Sequence, residues 1–558
     1  MKLGLETLDY IIFLVYFVIV ASYGYWVYRH KGRQAGDRDR DGDQVTDFFL
    51  AEGSLTWWAI GASIIASNIS AEQFIGMSGQ AFQMGLAISV YELVGGLSLV
   101  IIAVYFLPMY IRNKIYTMPQ FLQMRYDKRL ATIMAVFWLF LYILVNLTSI
   151  IYLGALSLEK MTGFDFMACA LFLTVFAVFI TLGGMKVIGY TDVIQVVCLV
   201  AGGLATTYLA LNLLSDKVGT GSGMLEGLSL IREKADHHLH MVFAKGDYFV
   251  HDGRGGKIDA YNQLPGLMMF IIGGQWIVNF NYFGCNQYMI QRALGADLNT
   301  ARNGVLFAAF LKLMMPFIVV LPGLAAYVLF QENADAAIVQ GITDNGIVKP
   351  DNAYPVLLNI LPTGLKGLSF AALTAAIVAS LAGKANSIST IYMLDIHKKF
   401  FDPDMDQQKT VWLGRVAIVV SFIIALAISP LLKNFGQGFE YIQEYTGFIS
   451  PGILCIFLLG MFWKRATANG ALAAAMLSIP LSALFKYQFP DFPFLNRMGT
   501  VFWICVVVQV TISLIESRGQ NSPKAFAVDS QWFKTTPAFR LGALAVCALL
   551  TLVYVIFW

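Results

Sequence analysis

Charge is what this 558-residue chain has least of. Asp, Glu, Lys and Arg together make up 13% of it, and 38 basic against 35 acidic side chains leave a formal net charge of +3. With 58% hydrophobic residues, such a chain cannot be a soluble globular domain of this length. The small, dispersed positive charge also argues against a nucleic-acid partner. Cysteine is scarce too. All six (Cys169, Cys198, Cys285, Cys455, Cys505 and Cys547) fall inside apolar stretches, which disfavours a disulfide framework and leaves them as small core residues. The H-E-x-x-H, G-x-S-x-G, P-loop and dinucleotide signatures are missing, so neither intramembrane hydrolysis nor ATP-driven pumping has its parts. An enzyme is not expected.

What the chain does have is apolar runs of roughly 18 residues or more, each able to cross about 30 Å of hydrocarbon. About fourteen are found, near residues 8–28, 54–79, 84–111, 130–157, 165–184, 187–213, 266–292, 303–330, 366–394, 411–432, 441–462, 467–486, 498–516 and 541–558. The predicted fold class is an all-α polytopic membrane protein. The first run has no basic flank before it beyond Lys2 and no small-residue cleavage site after it, and reads as a retained helix. Arg29, Lys31, Arg33, Arg38 and Arg40 follow the first run, and Arg112, Lys114, Arg125, Lys128 and Arg129 follow the third. These loops are therefore expected on the cytoplasmic side, which places both termini outside.

Two of the runs are interrupted. Ser67, Asn68, Ser70, Glu72 and Gln73 break the stretch Leu55 to Gln80, and Gly273, Gly274, Asn279, Asn281 and Asn286 break Gly266 to Ile290. Polar backbone inside hydrocarbon costs several kcal/mol unless something binds it. Each broken run opens a set of five, and paired broken helices in corresponding positions point to a transporter built from inverted repeats. The expected division is an extra N-terminal helix and loop (1–53), repeat one (54–213), an outer loop (214–265), repeat two (266–462) and extra C-terminal helices (463–558). The odd number of spans between the two repeat starts inverts one against the other. Glu72, Gln73, Glu92, Asp192, Lys312, Lys384, Glu440, Gln443 and Glu444 lie within spans; each is a functional candidate, with interhelical bonding the ordinary alternative.

Two loop patterns lead elsewhere. Asp37, Asp39, Asp41 and Gly42 match the first half of an EF-hand calcium loop, but Phe48 stands where the bidentate Glu belongs, so a solvated charged loop is expected. His237, His238, His240 and His251 in the outer loop have no cysteine nearby and are expected to be solvated rather than metal-bound.

The segments ASNISAEQFIGMSG (Ala66 to Gly79), LGGMKVIGYTDVIQ (Leu182 to Gln195), NQYMIQR (Asn286 to Arg292), FAAFLKLMMPF (Phe307 to Phe317) and FEYIQEYTGFISPGIL (Phe439 to Leu454) closely resemble the solute:sodium symporter family, in its sodium/glucose cotransporter branch. The resemblance runs over nearly the whole chain. It implies a leucine-transporter-type core of two five-helix inverted repeats, sodium as the coupling ion, a small-molecule sugar as cargo, and a place in a bacterial plasma (inner) membrane. No obligatory protein partner is apparent.

By the same resemblance, sodium is held by the carbonyls of Ala66 and Ile69, freed where the first broken helix unwinds, together with Ala376, Ala379 and Ser380. Those last three share a helical face at i, i+3 and i+4. The family places two adjacent hydroxyl residues where this chain has Ala379 and Ser380, so one side-chain ligand is missing. Asp192 resembles the carboxylate on the sodium exit path. Lys384, one turn beyond Ser380, stands where relatives carry an apolar residue. It reads either as a tethered cation, which would make transport proton-coupled or uncoupled, or as a lysine reaching to the cytoplasmic interface.

The sugar-contact positions implied are Gln73, Tyr91, Glu92, Asn146, Asn279, Lys312 and Gln443. Met77, Tyr282 and Phe439 close the pocket, with Tyr282 as inner gate. Independently, sugar hydroxyls both donate and accept, which suits amides and a balanced Glu92–Lys312 pair beside an aromatic platform. Gly95 replaces a serine, Asn281 and Phe283 replace larger aromatics, and Glu440 replaces a glutamine, while Phe280 and Phe283 are expected to be packing residues. The expected mechanism is alternating access: sodium bound between the first helix of repeat one and the third of repeat two favours the outward-open state, and sugar closes it. The rivals are transport of inositol, sialic acid or an amino acid, or a sodium-independent sugar carrier. A transporter-like sensor would need a cytoplasmic output domain, for which the tail from Glu516 to Phe539 is too short.

Overall fold

Apolar side chains on every face of a helix leave it two stable places, buried among other helices or facing lipid, and the computed structural model contains both. It describes residues 5–35, 48–49, 55–221, 223–251, 256–344, 346–434 and 438–558. The candidate calcium loop at Asp37, Asp39, Asp41 and Gly42 lies outside the described residues.

The principal helices, in chain order, begin with α1 (Thr7–Ala35), α2 (Trp57–Asn68), α3 (Ser78–Met84), α4 (Val90–Arg112), α5 (Lys128–Thr162), α6 (Phe166–Thr181) and α7 (Gly184–Val218). They continue with α8 (Gly274–Gly284), α9 (Gln287–Leu294), α10 (Leu298–Gln331), α11 (Leu365–Phe400) and α12 (Gln407–Ile428). The last five are α13 (Gly438–Gly447), α14 (Ser450–Phe462), α15 (Ala468–Gln488), α16 (Phe494–Ser517) and α17 (Pro537–Ile556). Many begin at a loop acid or hydroxyl that caps free backbone N–H groups, as Asp297 does for Asn299 and Thr300 and Thr536 for Phe539.

Among the described residues, eleven helices are long and apolar enough to cross a membrane. Three of the expected spans are absent from that set, each for a local reason. The runs near 54–79 and 266–292 are split at their breaks into pieces shorter than a bilayer, and α6 is 16 residues long. Two short hairpins, Phe249–His251 with Lys257–Asp259 and Thr343–Asp344 with Ile347–Val348, are loop decoration on a helical fold.

α11 is the hub. From Phe370 to Ile391 its side chains are buried on every face, enclosed by α7, α1, α2 and α12. α10 lies against both α2 and α4. Small residues permit the closest crossings: a Cβ on Gly61 of α2 would sit 2.6 Å from the Gly304 carbonyl of α10, and one on Gly202 of α7 would sit 2.6 Å from the Ala372 Cβ of α11. α17 is the opposite extreme, with Leu541 and Val555 more than 70% exposed on an apolar surface. All six cysteines are unbonded, with Cys169, Cys285, Cys455 and Cys505 buried.

The loop at 214–265 departs from expectation. His238 is not solvated but fully buried. Its Nε2 lies 3.3 Å from the Phe82 carbonyl and 3.0 Å from the Tyr248 hydroxyl, and its ring packs 3.7 Å from that of Tyr327. Burial and the neighbouring His237 lower its pKa to about 3. The loop docks at the turn between α3 and α4, where Gly85 has φ +69° and any Cβ would lie 2.0 Å from the His238 carbonyl oxygen. No cluster of three or more potential metal ligands occurs among the described residues.

Candidate binding and ion sites

The first break is where the sequence placed it. α2 stops at Asn68, Ile69 turns to an extended conformation (φ −85°, ψ 117°), and the chain resumes as a wide π-type turn, Glu72–Met77, before α3. Gln73 holds the break together: its Oε1 accepts from the Ser70 backbone N–H at 2.9 Å. Two similar wide turns interrupt the neighbouring helices, Leu141–Leu147 carrying Tyr142 and Asn146, and Pro316–Val320 one turn after Lys312. Wide turns of this kind re-aim side chains and gather at functional sites.

The second interrupted run breaks twice. Gly273 takes φ +101° ahead of α8, and Cys285 and Asn286 leave helical geometry between α8 and α9. Tyr142 fills the second gap, its hydroxyl meeting Asn286 Oδ1 and accepting from the Gln287 N–H at 3.1 Å.

Between the two broken helices lies a polar cavity of about 50 Å³. Gln73, Met77, Tyr91, Glu92, Asn279, Tyr282, Lys312 and Gln443 line it, joined by Asn68, Glu72, Val278 and Phe283. Asn146 lines an adjoining cavity on the other side of Tyr282, which shares Glu72, Tyr282 and Gln443 with the first. Tyr282 is the partition: its hydroxyl accepts from Asn68 Nδ2 at 3.1 Å, and its ring meets Phe283 and Tyr288 edge-on. The side chains of Phe439 and Glu440 lie outside the described residues.

The central polar feature is an ion pair. Lys312 Nζ donates to Glu92 Oε2 at 2.7 Å, with both side chains no more than 3% exposed. The ammonium also lies 5.3 Å from the Phe283 ring centre. Phe283 therefore faces the cavity as well as the core, a correction to its expected role as packing alone; Phe280 does pack, stacking on Phe106 and Trp276. A Cβ on Gly95 would come within 3.1 Å of Asn279 Oδ1 and 3.4 Å of Lys312 Cε, so the absence of a side chain lets these groups approach closely beside the pair.

Further along α2 the break meets α11. Ser380 Oγ donates to the Ser67 carbonyl at 3.0 Å, and Ser67 Oγ lies 3.5 Å from the Ala379 carbonyl. Ala66, Ile69, Ala376 and Ala379 are fully buried. Unwinding removes the last α2 carbonyls from helical pairing, leaving oxygens suited to a small cation. Asp192, also buried, accepts from Ser63 Oγ, and Arg292 stands over the junction. Arg292 Nε donates to Ser63 Oγ at 2.7 Å, its terminal nitrogens meet Ser67 Oγ and the Tyr288 carbonyl, and it lies 3.9 Å from Asp192. Lys384 does not reach an aqueous interface: it is 2% exposed, with Nζ 5.0 Å from the Tyr288 ring centre.

Of the remaining intramembrane charges, Glu444 is interhelical bonding, paired with Lys486 at 3.0 Å and Arg497 at 2.5 Å. Arg292 and Tyr142 are the residues that sequence reasoning missed. Arg292 sits at the end of its run, where a basic residue reads as interfacial, and Tyr142 is one aromatic among many. Only the place of Arg292 inside the NQYMIQR segment marked it.

Two interrupted membrane helices converging on a buried polar cavity that holds a Glu–Lys ion pair point to a secondary transporter. Residues 48–478 match the sodium:solute symporter family. The chain is 43% identical to the sodium/glucose cotransporter of Vibrio parahaemolyticus over 100% of its own length and 99% of that protein's. It is 32% identical to human sodium/myo-inositol cotransporter 2 over 84% of this chain and 68% of that one. A solved outward-open, substrate-bound Na+-coupled sialic acid symporter has the same fold, with a TM-score of 0.74 and 19% identity over 91% of this chain and 98% of its own. The chain belongs to the sodium:solute symporter family. It is a multi-pass membrane carrier and not an enzyme, and sodium is its coupling ion.

Proposed function

We propose that the cargo is a hexose of the galactose or glucose type, carried with sodium by alternating access. The observation that carries this reading is the cavity in which Gln73, Tyr91, Glu92, Asn279, Lys312 and Gln443 converge. A hexose offers hydroxyls in both hydrogen-bonding senses and no net charge. The paired Glu92 and Lys312 present an acceptor and a donor while cancelling each other's charge, and the amides supply both roles in one group. Asn146 joins the set when Tyr282 moves, since only that side chain and its neighbours part the two cavities. At about 50 Å³ the cavity is far below the several hundred cubic ångströms typical of ligand pockets, so its walls must part to admit a sugar. Met77, Tyr282 and Phe439 serve as the moving walls.

Sodium binds at Ala66, Ile69, Ala376, Ala379 and Ser380, with one hydroxyl ligand fewer than the family pattern, and leaves past Asp192. About fourteen crossings, ten of them in two inverted repeats, 54–213 and 266–462, with both termini outside a bacterial inner membrane, complete the topology. A second reading is a cyclic polyol, favoured by the likeness to a myo-inositol cotransporter. Sialic acid is disfavoured because no arginine lines the cavity among the described residues, and an amino acid because its carboxylate favours a helix N-terminus with fewer neutral amides than Gln73, Asn279 and Gln443 supply. The test is displacement of radiolabelled galactose from the purified carrier in sodium by unlabelled galactose, glucose, myo-inositol, sialic acid and alanine. Displacement by the hexoses at the lowest concentration supports the reading, and displacement by sialic acid or alanine first overturns it.

A further inference from the structure

Two buried cations flank the junction of α2 and α11, and only one has a conventional partner. Arg292 is bound by Ser63, Ser67, the Tyr288 carbonyl and Asp192. Lys384 has none of these: among the described residues no hydrogen bond or ion pair meets its ammonium, which rests on the face of the Tyr288 ring. Glu72 is an acid that acts on it electrostatically. That acid is itself buried, with Oε1 lacking any hydrogen-bond partner. A buried lysine and a buried glutamate would ordinarily close to contact, because burial costs a charge its solvation unless a partner restores it. Here they are held apart across the broken helix.

The geometry places Lys384 beside the sodium ligands. It is four residues past Ser380 on α11, hence on the same helical face, and helical side chains lean toward the N-terminus, over the turn that carries Ser380. The adjoining Gly383 makes room on the other side: a Cβ there would lie 2.3 Å from Arg292 Nη2 and 2.7 Å from Ser67 Oγ. Asp192 with Arg292, and Glu72 with Lys384, sum to zero before any ion arrives. A sodium ion entering this junction adds a positive charge next to one already fixed there.

We propose that Lys384 is a built-in competitor of sodium, a positioning residue that sets the carrier's sodium affinity through its fixed charge, with Glu72 as its counterweight. The inference rests on the sodium-site assignment of the preceding section. It predicts opposite effects for its two members. Lys384→Met removes the repulsion and tightens sodium binding at least tenfold, the effect of one unit charge about 12 Å away in a medium of effective dielectric near 20, with a nearer charge acting more strongly. Lys384→Arg keeps the charge and the weak binding. Glu72→Gln leaves Lys384 uncompensated and weakens sodium binding, and the double variant returns toward the native value.

The experiment is radiolabelled sodium binding to the purified full-length carrier and its four variants, without sugar, by scintillation proximity, each first checked for monodisperse elution. Tighter binding in Lys384→Met, native-like binding in Lys384→Arg and weaker binding in Glu72→Gln bear out the proposal. A role in packing alone would weaken binding in both lysine variants, and that result, or equal affinities throughout, overturns it. Ser380→Ala, measured alongside, separates the two levels of the argument. If it too leaves sodium binding unchanged, the site assignment has failed; if it weakens binding while Lys384→Met changes nothing, only the role of Lys384 has.

Discussion

Replacing Lys312 by Met isolates the central ion pair. Its two charges are 2.7 Å apart and almost wholly removed from solvent. The methionine fills much of the lysine's volume, so the change is chiefly electrostatic. Glu92 is then a buried carboxylate without its cation, and breaking a buried pair in this way costs about 3 to 5 kcal/mol. Lys312→Met with Glu92→Gln removes both charges and is expected to recover most of that loss, because a neutral pair leaves no uncompensated charge. Sugar binding should not recover with it: one charge-assisted hydrogen bond to a hydroxyl contributes about 1.5 to 3 kcal/mol, a weakening of roughly tenfold to a hundredfold when lost. The assay pairs thermal unfolding in detergent with displacement of labelled sugar. A single variant as stable as the native protein, or a double variant as unstable as the single, would refute the reasoning.

Gly95→Leu displaces Asn279, Phe283 and Lys312, because even a Cβ there meets them at 3.1 to 3.4 Å; sugar uptake should be lost while sodium binding persists, as binding assays on the same preparation would show. Ser380→Ala removes a hydroxyl that bridges α11 to the Ser67 carbonyl, and half-maximal uptake should then require about tenfold more sodium, the scale of a typical coupling energy. His238 gives a pH prediction with a definite sign. Its folded pKa of about 3 lies below the unfolded value near 6.5, so the unfolded loop binds the extra proton. Stability is full above about pH 6.5 and falls by up to about 1.4 kcal/mol per unit between there and pH 3. Protection factors across residues 236–251 and 256–264, each referred to the intrinsic exchange rate at that pH, should fall as the pH is lowered through that window in the native protein and stay flat in His238→Phe.

The parts legible in the sequence are those where a residue contradicts its surroundings. Glu72, Glu92, Lys312 and Asp192 are charges in hydrocarbon, and the cost of placing them there marked them before any geometry was known. The first break was visible because Ser67, Asn68, Ser70, Glu72 and Gln73 are polar within an apolar run. Arg292 was not, because its partners Ser63, Ser67 and Asp192 lie 100 or more residues away and its place at the end of a run offered a cheaper explanation. His238 was misjudged for a similar reason: a loop histidine is usually wet, and what buries this one is Gly85, Tyr248 and Tyr327, brought together by the fold. Glu444 is the converse, conspicuous in the sequence yet accounted for by Lys486 and Arg497 on α15 and α16. Long-range partnership, which decides whether a charge is structural or functional, is what the linear pattern does not carry.

The most direct test of the account is uptake of labelled galactose and glucose into proteoliposomes holding the purified protein, with an imposed inward gradient of sodium, of protons, or of neither. Accumulation above equilibrium with the sodium gradient alone is the predicted result, and would mean that the site tolerates Ala379. Uptake that proceeds equally without sodium, or that follows the proton gradient instead, would contradict it.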